Sequence, residues 1–280
     1  MNQPETEDIK KLELENEALK SELKAWNVKF EDEVYKRTLA LQESLKKLEV
    51  LNQMRSQFVS IMSHELRTPT AALIGYSDAL RQKWSDLPKE KVIKYLDVIA
   101  EESNRMVMLM QEIFEISSIL EGKLNLALEK RDIIPLITSA VQNYRARNGN
   151  CSFGFNESTE PIDARVDAIY FKSAISHVLS NAVKYTPSKG NILVFAERKG
   201  DQAVIRVEDD GPGVPREYRE KVFEPFFRSM DNVNRQTPGA GLGLTIARGI
   251  FQALQGSVQI AEKMTGKNGC AVILTLPLSR

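Results

Sequence analysis

The first fifty residues contain no glycine and a single proline, Pro4, and are dense in Glu, Lys and Leu. Nothing in that stretch interrupts an α-helix, so the chain is committed at its outset to one long rod. Apolar residues recur at Ile9, Leu12, Leu19, Leu23, Trp26 and Phe30, and Asn16 fills a slot of the same three-to-four spacing. So narrow a stripe is the seam of a coiled coil, because a lone helix would leave it in water. The step lengthens to four at Val34 before Leu41, Leu45, Leu48 and Leu51 resume the seam. Consecutive four-residue steps form a stutter, a local change of supercoil phase.

The helical pattern runs on through Phe58, Met62, Leu66, Leu73, Tyr76 and Leu80 to a turn at Ser85-Asp86-Leu87-Pro88. A second amphipathic run carries Val92, Tyr95, Ile99, Met106, Met110, Ile113 and Leu120. Two such helices joined by a short turn make an antiparallel hairpin, and two hairpins from two chains make a four-helix bundle. A homodimer is therefore expected. Glu121-Gly122-Lys123 breaks the pattern. The expected organisation is a coiled-coil helix over 1–52, a dimerisation hairpin over 53–121 and a third domain over 122–280.

Beyond the break, β-rich runs alternate with helices. Strands are expected at Leu124–Leu128, Cys151–Phe155, Asn191–Glu197, Ala203–Glu208, Ser257–Ala261 and Ala271–Leu276, with helices near 132–147, 168–184 and 241–254. The fold class is thus α+β, with helices over one face of a mixed sheet after the helical hairpin. The segment from Gly211 to Gly239, bounded by Gly and Pro and weakly periodic, reads as a long functional loop or lid.

Composition narrows the partners. Lys+Arg and Asp+Glu are both 38, so the formal charge is zero, which disfavours a nucleic-acid binder. No apolar run approaches the ~20 residues that span a bilayer, so no membrane contact is expected within this chain. Cys151 and Cys270 form no CxxC pair and read as reduced thiols of a cytoplasmic protein.

Five short constellations carry chemistry. In Phe58-Val-Ser-Ile-Met-Ser-His-Glu-Leu-Arg-Thr-Pro69, His64 lies ~200° around the helix from Met62 and so faces away from the bundle core. Glu65 can hold one ring nitrogen as a donor, leaving the other as a nucleophile. Thr68 lies one turn from His64 on the same face, and Pro69 removes an amide and loosens the helix there. In the second, His177, Asn181 and Lys184 at i, i+4 and i+7 line one helix face; an amide oxygen suits Mg²⁺ and an ammonium suits phosphate. The third, Val207-Glu-Asp209-Asp-Gly211-Pro-Gly213, places an acid at a strand end where it can accept the amine of an adenine. The fourth, Phe223-Glu-Pro-Phe-Phe-Arg228, offers an aromatic anchor and a cation. The fifth, Pro238-Gly239-Ala-Gly241-Leu242-Gly243-Leu244, opens a helix with bare amides that suit phosphate.

In this order the motifs resemble the cytoplasmic catalytic part of bacterial-type sensor histidine kinases of two-component systems, over about residues 34–280. The resemblance implies a phosphoacceptor hairpin followed by a GHKL-type ATP-binding sandwich. It implies His64 as the phosphorylated residue, Glu65 as general base, and Thr68 as the residue that positions water when the domain dephosphorylates its partner. It assigns Mg²⁺ to Asn181, the ATP phosphates to Lys184 and Arg228, the nucleotide's flank to Tyr185 and the adenine to Asp209. His177, Phe223 and Leu242 join this nucleotide set, and Gly211, Gly213, Gly239, Gly241 and Gly243 shape its lid and phosphate loops. ATP and Mg²⁺ are the implied cofactors, and a response-regulator receiver domain is the implied partner.

The chain departs from the family pattern at His177, where Asn is common, at Pro238, where a first Gly is common, and at Val214, where Ile is common. Two other readings compete: a GHKL-type ATPase that forms no phosphohistidine, and an inactive dimeric scaffold. The expected setting is the cytoplasm, either as a soluble kinase or as the cytoplasmic part of a membrane-bound one.

Overall fold

The uninterrupted helical pattern of the first eighty residues becomes one helix, α1 (Gln3–Lys83). The structure, a computed structural model, describes residues 3–156, 158, 160–228, 239–264 and 269–279. The side chains of the seam residues Ile9, Leu12, Leu48 and Leu51 lie outside that description, as does Pro238. The chain divides into two compact units, Met1–Gln57 and Phe58–Arg280.

In the first unit the seam residues Leu19, Leu23, Trp26, Phe30, Val34, Leu41 and Leu45 are all exposed. Trp26 and Phe30 stack with ring centroids 5.5 Å apart. Ion pairs at i, i+4, Asp32–Lys36 and Glu33–Arg37, decorate the same helix. A stripe of this kind on an otherwise charged helix gains little until a second apolar surface covers it.

In the second unit, the end of α1 turns at Asp86 and Leu87, whose amides bond back to the Lys83 carbonyl, and α2 (Lys89–Leu120) returns antiparallel. Tyr76 and Tyr95 meet across this hairpin with centroids 5.0 Å apart. Then follow β1 (Glu129–Asp132), α3 (Ile134–Arg147), β2 (Ser152–Asn156), β3 (Asp163–Val166) and α4 (Ala168–Tyr185). The chain ends with β4 (Asn191–Lys199), β5 (Gln202–Asp209), two short 3₁₀ turns, an eleven-residue α5 (Gly243–Ala253), β6 (Ser257–Ala261) and β7 (Cys270–Pro277).

The main sheet has the order β2-β4-β5-β7-β6, parallel only between β2 and β4. Alternate residues explain its packing. Ile192, Val194 and Ala196, then Ala203, Ile205 and Val207, then Val272, Leu274 and Leu276 point to one face and are buried. Helices α4 and α5 cover that face with Phe171, Ile175, Val178, Ile246, Ile250 and Phe251. The core continues into the hairpin through Met62 and Ile116. Gly249 lets α5 lie against α2, since a Cβ there would fall 2.6 Å from Ile119 Cγ2.

One expected strand does not form. Leu124–Leu128 is irregular, and β1 begins at Glu129. Leu124 and Leu126 pack against the core, which produces the alternation, while the Ala127 amide bonds to the Asp167 carboxylate at 2.9 Å instead of to a neighbouring strand. β1 pairs antiparallel with β3, a strand of four residues too short to announce itself by periodicity. Asp167 also caps α4 by accepting from the amides of Ile169 and Tyr170 at 2.9 and 3.3 Å.

Candidate active site

Four elements of the second unit converge on one cavity of about 640 Å³, namely the hairpin, α4, the end of β5 and the loop that opens α5. A volume of that order suits a ligand the size of a nucleotide. Asp209 lies at one end, buried where β5 stops. Burial pushes its carboxyl up from the ordinary 3.8, against the opposing pull of the Gly211 and Cys270 amides. The Gly211 N–H donates to Asp209 Oδ1 at 2.8 Å. Only glycine fits there, because a Cβ would fall 2.7 Å from that same oxygen and 3.0 Å from the Tyr185 carbonyl oxygen. Beside Asp209, burial pushes the Cys270 thiol up to about 12, so it lines the wall as an inert, neutral group.

Helix α4 brings His177, Asn181, Lys184 and Tyr185 to the wall, as their spacing requires. The Lys184 ammonium stands 5.2 Å from the centroid of the Tyr185 ring. Burial holds its pKa below the usual lysine value, and the nearby Arg228 cation lowers it further, while Glu65 and Glu112 act the other way. Two cations are thus gathered in a half-buried pocket, an arrangement that favours a polyanion. Gly239, Gly241, Leu242 and Gly243 complete this side, and the amides of the first turn of α5 start there.

The hairpin supplies the remaining wall with Glu65, Arg105, Met108, Leu109 and Glu112. Here the structure corrects the expectation for Glu65. Its carboxylate pairs across the hairpin with Arg105 at 3.4 Å and does not hold the imidazole of His64. Neighbouring helix residues diverge by ~100°, so while its carboxylate faces α2 Glu65 does not lie along its neighbour's ring. His64 and Thr68 are exposed and stand off the cavity wall. The Thr68 hydroxyl reaches the His64 carbonyl oxygen only at 3.5 Å.

Phe223 is a second correction. It is buried in the core, with the Arg248 guanidinium 4.8 Å from its ring centroid, and it does not reach the cavity. The aromatic wall is made instead by Tyr185, Tyr218 and Phe227. In a turn-rich segment an aromatic residue points inward or outward according to turn geometry, which no period reveals. Gly211 likewise stands behind the wall, supporting Asp209.

His177 acquires a concrete setting. Its Nε2 lies 3.0 Å from Glu115 Oε2, Glu115 Oε1 accepts from the Ser173 hydroxyl at 2.7 Å, and Nδ1 lies 3.9 Å from Glu112 Oε1. The position therefore joins α4 to α2 as well as lining the cavity. Burial pushes the Glu112 carboxyl up, and His177 opposes that shift. Arg105, Glu112 and Glu115 escaped the reading of the sequence. Their signal was present as the only charged residues between positions 105 and 120, at i, i+7 and i+10.

The family model for the His Kinase A (phospho-acceptor) domain matches residues 54–122. That for the histidine kinase-, DNA gyrase B- and HSP90-like ATPase matches residues 166–280. The circadian input-output histidine kinase CikA of Synechococcus elongatus is 29% identical over 235 residues, covering 82% of this chain and 31% of the relative. Hybrid signal transduction histidine kinase D of Dictyostelium discoideum is 31% identical over 258 residues, 88% of this chain and 16% of the relative. The chain thus spans less than a third of these relatives. Among solved structures, histidine kinase ThkA in complex with response regulator protein TrrA superposes with a TM-score of 0.58 at 24% identity, over 84% of this chain and 64% of that one.

Proposed function

The chain belongs to the sensor histidine kinases, and from that premise we propose that it moves the γ-phosphoryl group of ATP to an imidazole nitrogen of His64 and then to an aspartate of a response regulator. The observation that carries this reading is the single cavity in which a buried Asp209, the Lys184 and Arg228 cations and the start of α5 share a wall with Glu65, the residue next to His64. Adenine donates its exocyclic amine to Asp209, and Tyr185 flanks the nucleotide. Lys184, Arg228 and the α5 amides neutralise the phosphates.

Asn181 faces the same space and offers one neutral oxygen. Among the described residues no group of three or more His, Cys, Asp or Glu is placed to hold a metal ion. One protein oxygen suits Mg²⁺, which keeps several waters and takes most other ligands from phosphates. Bound there, Mg²⁺ would supply charge neutralisation at the phosphate oxygens. The chain's own part in transfer is positioning and proton removal. His64 supplies the attacking nitrogen and Glu65 takes the proton from the ring. Because His64 stands beside the cavity and not on its wall, the ATP-binding module must re-seat over a hairpin, of its own chain or its partner's, before attack.

The same reading gives Thr68 the role of orienting water against the regulator's acyl phosphate, since its hydroxyl is held only loosely by the His64 carbonyl. A homodimer is proposed from the apolar residues that the hairpin leaves exposed, among them Ile74, Ile93, Leu96 and Phe114. A cytoplasmic setting is also proposed; among the described residues no helix is long and apolar enough to cross a membrane. Incubation with γ-labelled Mg-ATP tests the reading. Acid-labile, base-stable label on the protein is expected, whereas free phosphate with no labelled protein would make the chain a simple ATPase.

A further inference from the structure

Arg105 lies on α2, 40 residues from its partner Glu65, and its side chain is about one-third exposed, toward the cavity. Its guanidinium stands between two carboxylates and is well bonded to neither. Nη2 is 3.4 Å from Glu65 Oε2, and Nη1 is 4.0 Å from Glu102 Oε2. Charge-assisted hydrogen bonds normally close to ~2.7–2.9 Å, so this pairing is held by charge and leaves the donors underused. Glu102 Oε2 is itself buried without a hydrogen-bond partner. Such a fork is open to a better acceptor. The nucleotide cavity brings one within reach. Asp209 marks the adenine end, and Lys184, whose charge senses both Arg228 and Glu65, marks the path of the phosphates toward the hairpin.

We propose that Arg105 is a ligand of the terminal phosphate of ATP, supplied by the hairpin, and that it exchanges Glu65 for that phosphate when ATP binds. The exchange rests on the kinase reading above. It has two consequences. ATP is distinguished from ADP by a residue outside the ATP-binding module, because only ATP carries the group that reaches α2. Glu65 is released from its ion pair only when a transferable phosphate is present, so the base that serves His64 is freed by the substrate it acts with. Until ATP binds, the carboxylate stays paired with Arg105.

Calorimetric titration of the full chain with Mg-ATP and with Mg-ADP tests this, using Arg105→Ala, Arg105→Lys, Glu65→Gln and the double variant. Loss of a charge-assisted contact should weaken ATP binding about tenfold or more in Arg105→Ala. ADP binding and the circular dichroism spectrum should hardly change, and Arg105→Lys should recover part of the loss. Glu65→Gln frees Arg105 and should tighten ATP binding several-fold, a gain that disappears in the double variant. Equal losses for ATP and ADP in Arg105→Ala, or unchanged ATP affinity in Glu65→Gln, would show that Arg105 merely braces the hairpin. A wild-type chain that binds neither nucleotide overturns the kinase reading itself, and this inference with it.

Discussion

Phe114 and Phe171 carry the same side chain to opposite fates. On α2, Phe114 is 68% exposed; on α4, Phe171 is fully buried and meets Phe251 with centroids 5.9 Å apart. The contrast holds along both helices. Val107, Met108, Met110 and Leu120 of α2 are exposed, whereas Ala174, Ile175, Val178 and Leu179 of α4 are sealed beneath the sheet. The ATP-binding module closes most of its core from its own strands and helices, and Met62 and Ile116 of the hairpin join it at one side. The hairpin closes only the side where its two helices meet each other and that module, and leaves apolar side chains on the other exposed. The nucleotide cavity is therefore carried mainly by a well-sealed scaffold, and His64 by one whose apolar face is left open.

The sharpest way to separate the two regions is to remove one reactive group from each. His64→Gln should abolish stable labelling while leaving ATP affinity within about twofold, because His64 is exposed and off the cavity wall. Asn181→Asp should also lower labelling, by about a hundredfold or more on the scale of a lost charge-stabilising contact, but with altered Mg-ATP binding, since it adds a charge beside the phosphates. Labelling gels and nucleotide titrations run side by side distinguish them. Normal label in His64→Gln would move the acceptor elsewhere, and His177 is the one other histidine in the chain.

The packing contrast is tested next. Phe171→Ala empties a sealed site and should cost about 3–5 kcal/mol of stability. Phe114→Ala removes a side chain that is already in water within one chain and should change intrinsic stability by less than about 0.5 kcal/mol. Its effect should surface in sedimentation as a weaker dimer. Urea titrations at several protein concentrations separate the two outcomes. A large, concentration-independent loss in Phe114→Ala would mean that α2 is covered within its own chain.

These regions were not equally legible in the sequence. The long helix followed from its unbroken pattern, α4 was expected close to its observed ends, and β6 was bounded to the residue, because those signals act between near neighbours. His177, Asn181 and Lys184 reached one wall because i, i+4 and i+7 on a helix fix a common face. What escaped was set by distant partners. Glu65 turns to Arg105, His177 to Glu115 across 62 residues, and Ala127 to Asp167, and none of these pairings leaves a local period. Phe223 failed for a related reason, since burial beneath Arg248 is decided by how the loop folds back on α5.

The mildest effect concerns pH, and it arises within the ATP-binding module. Burial raises the Asp209 carboxyl above its ordinary 3.8. The folded chain therefore takes up this proton more readily than the unfolded one. Through this group alone, stability is greatest below the ordinary value and declines as pH rises through the raised one. Nucleotide binding has the opposite sign. The adenine amine donates to an ionised carboxylate, so affinity should be full at neutral pH and fall on acidification through the raised value. One linked proton limits the slope to about tenfold per pH unit. ADP is the ligand to use, because it should make little demand on Arg105. Calorimetric titrations at descending pH, in buffers of different ionisation heat, should show proton release on binding in the acid window. Asp209→Asn should bind more weakly throughout and lose that proton signal. A proton release that persists in Asp209→Asn would assign it to another group, with the half-buried Glu112 on the hairpin wall, also raised by its surroundings, as the alternative source.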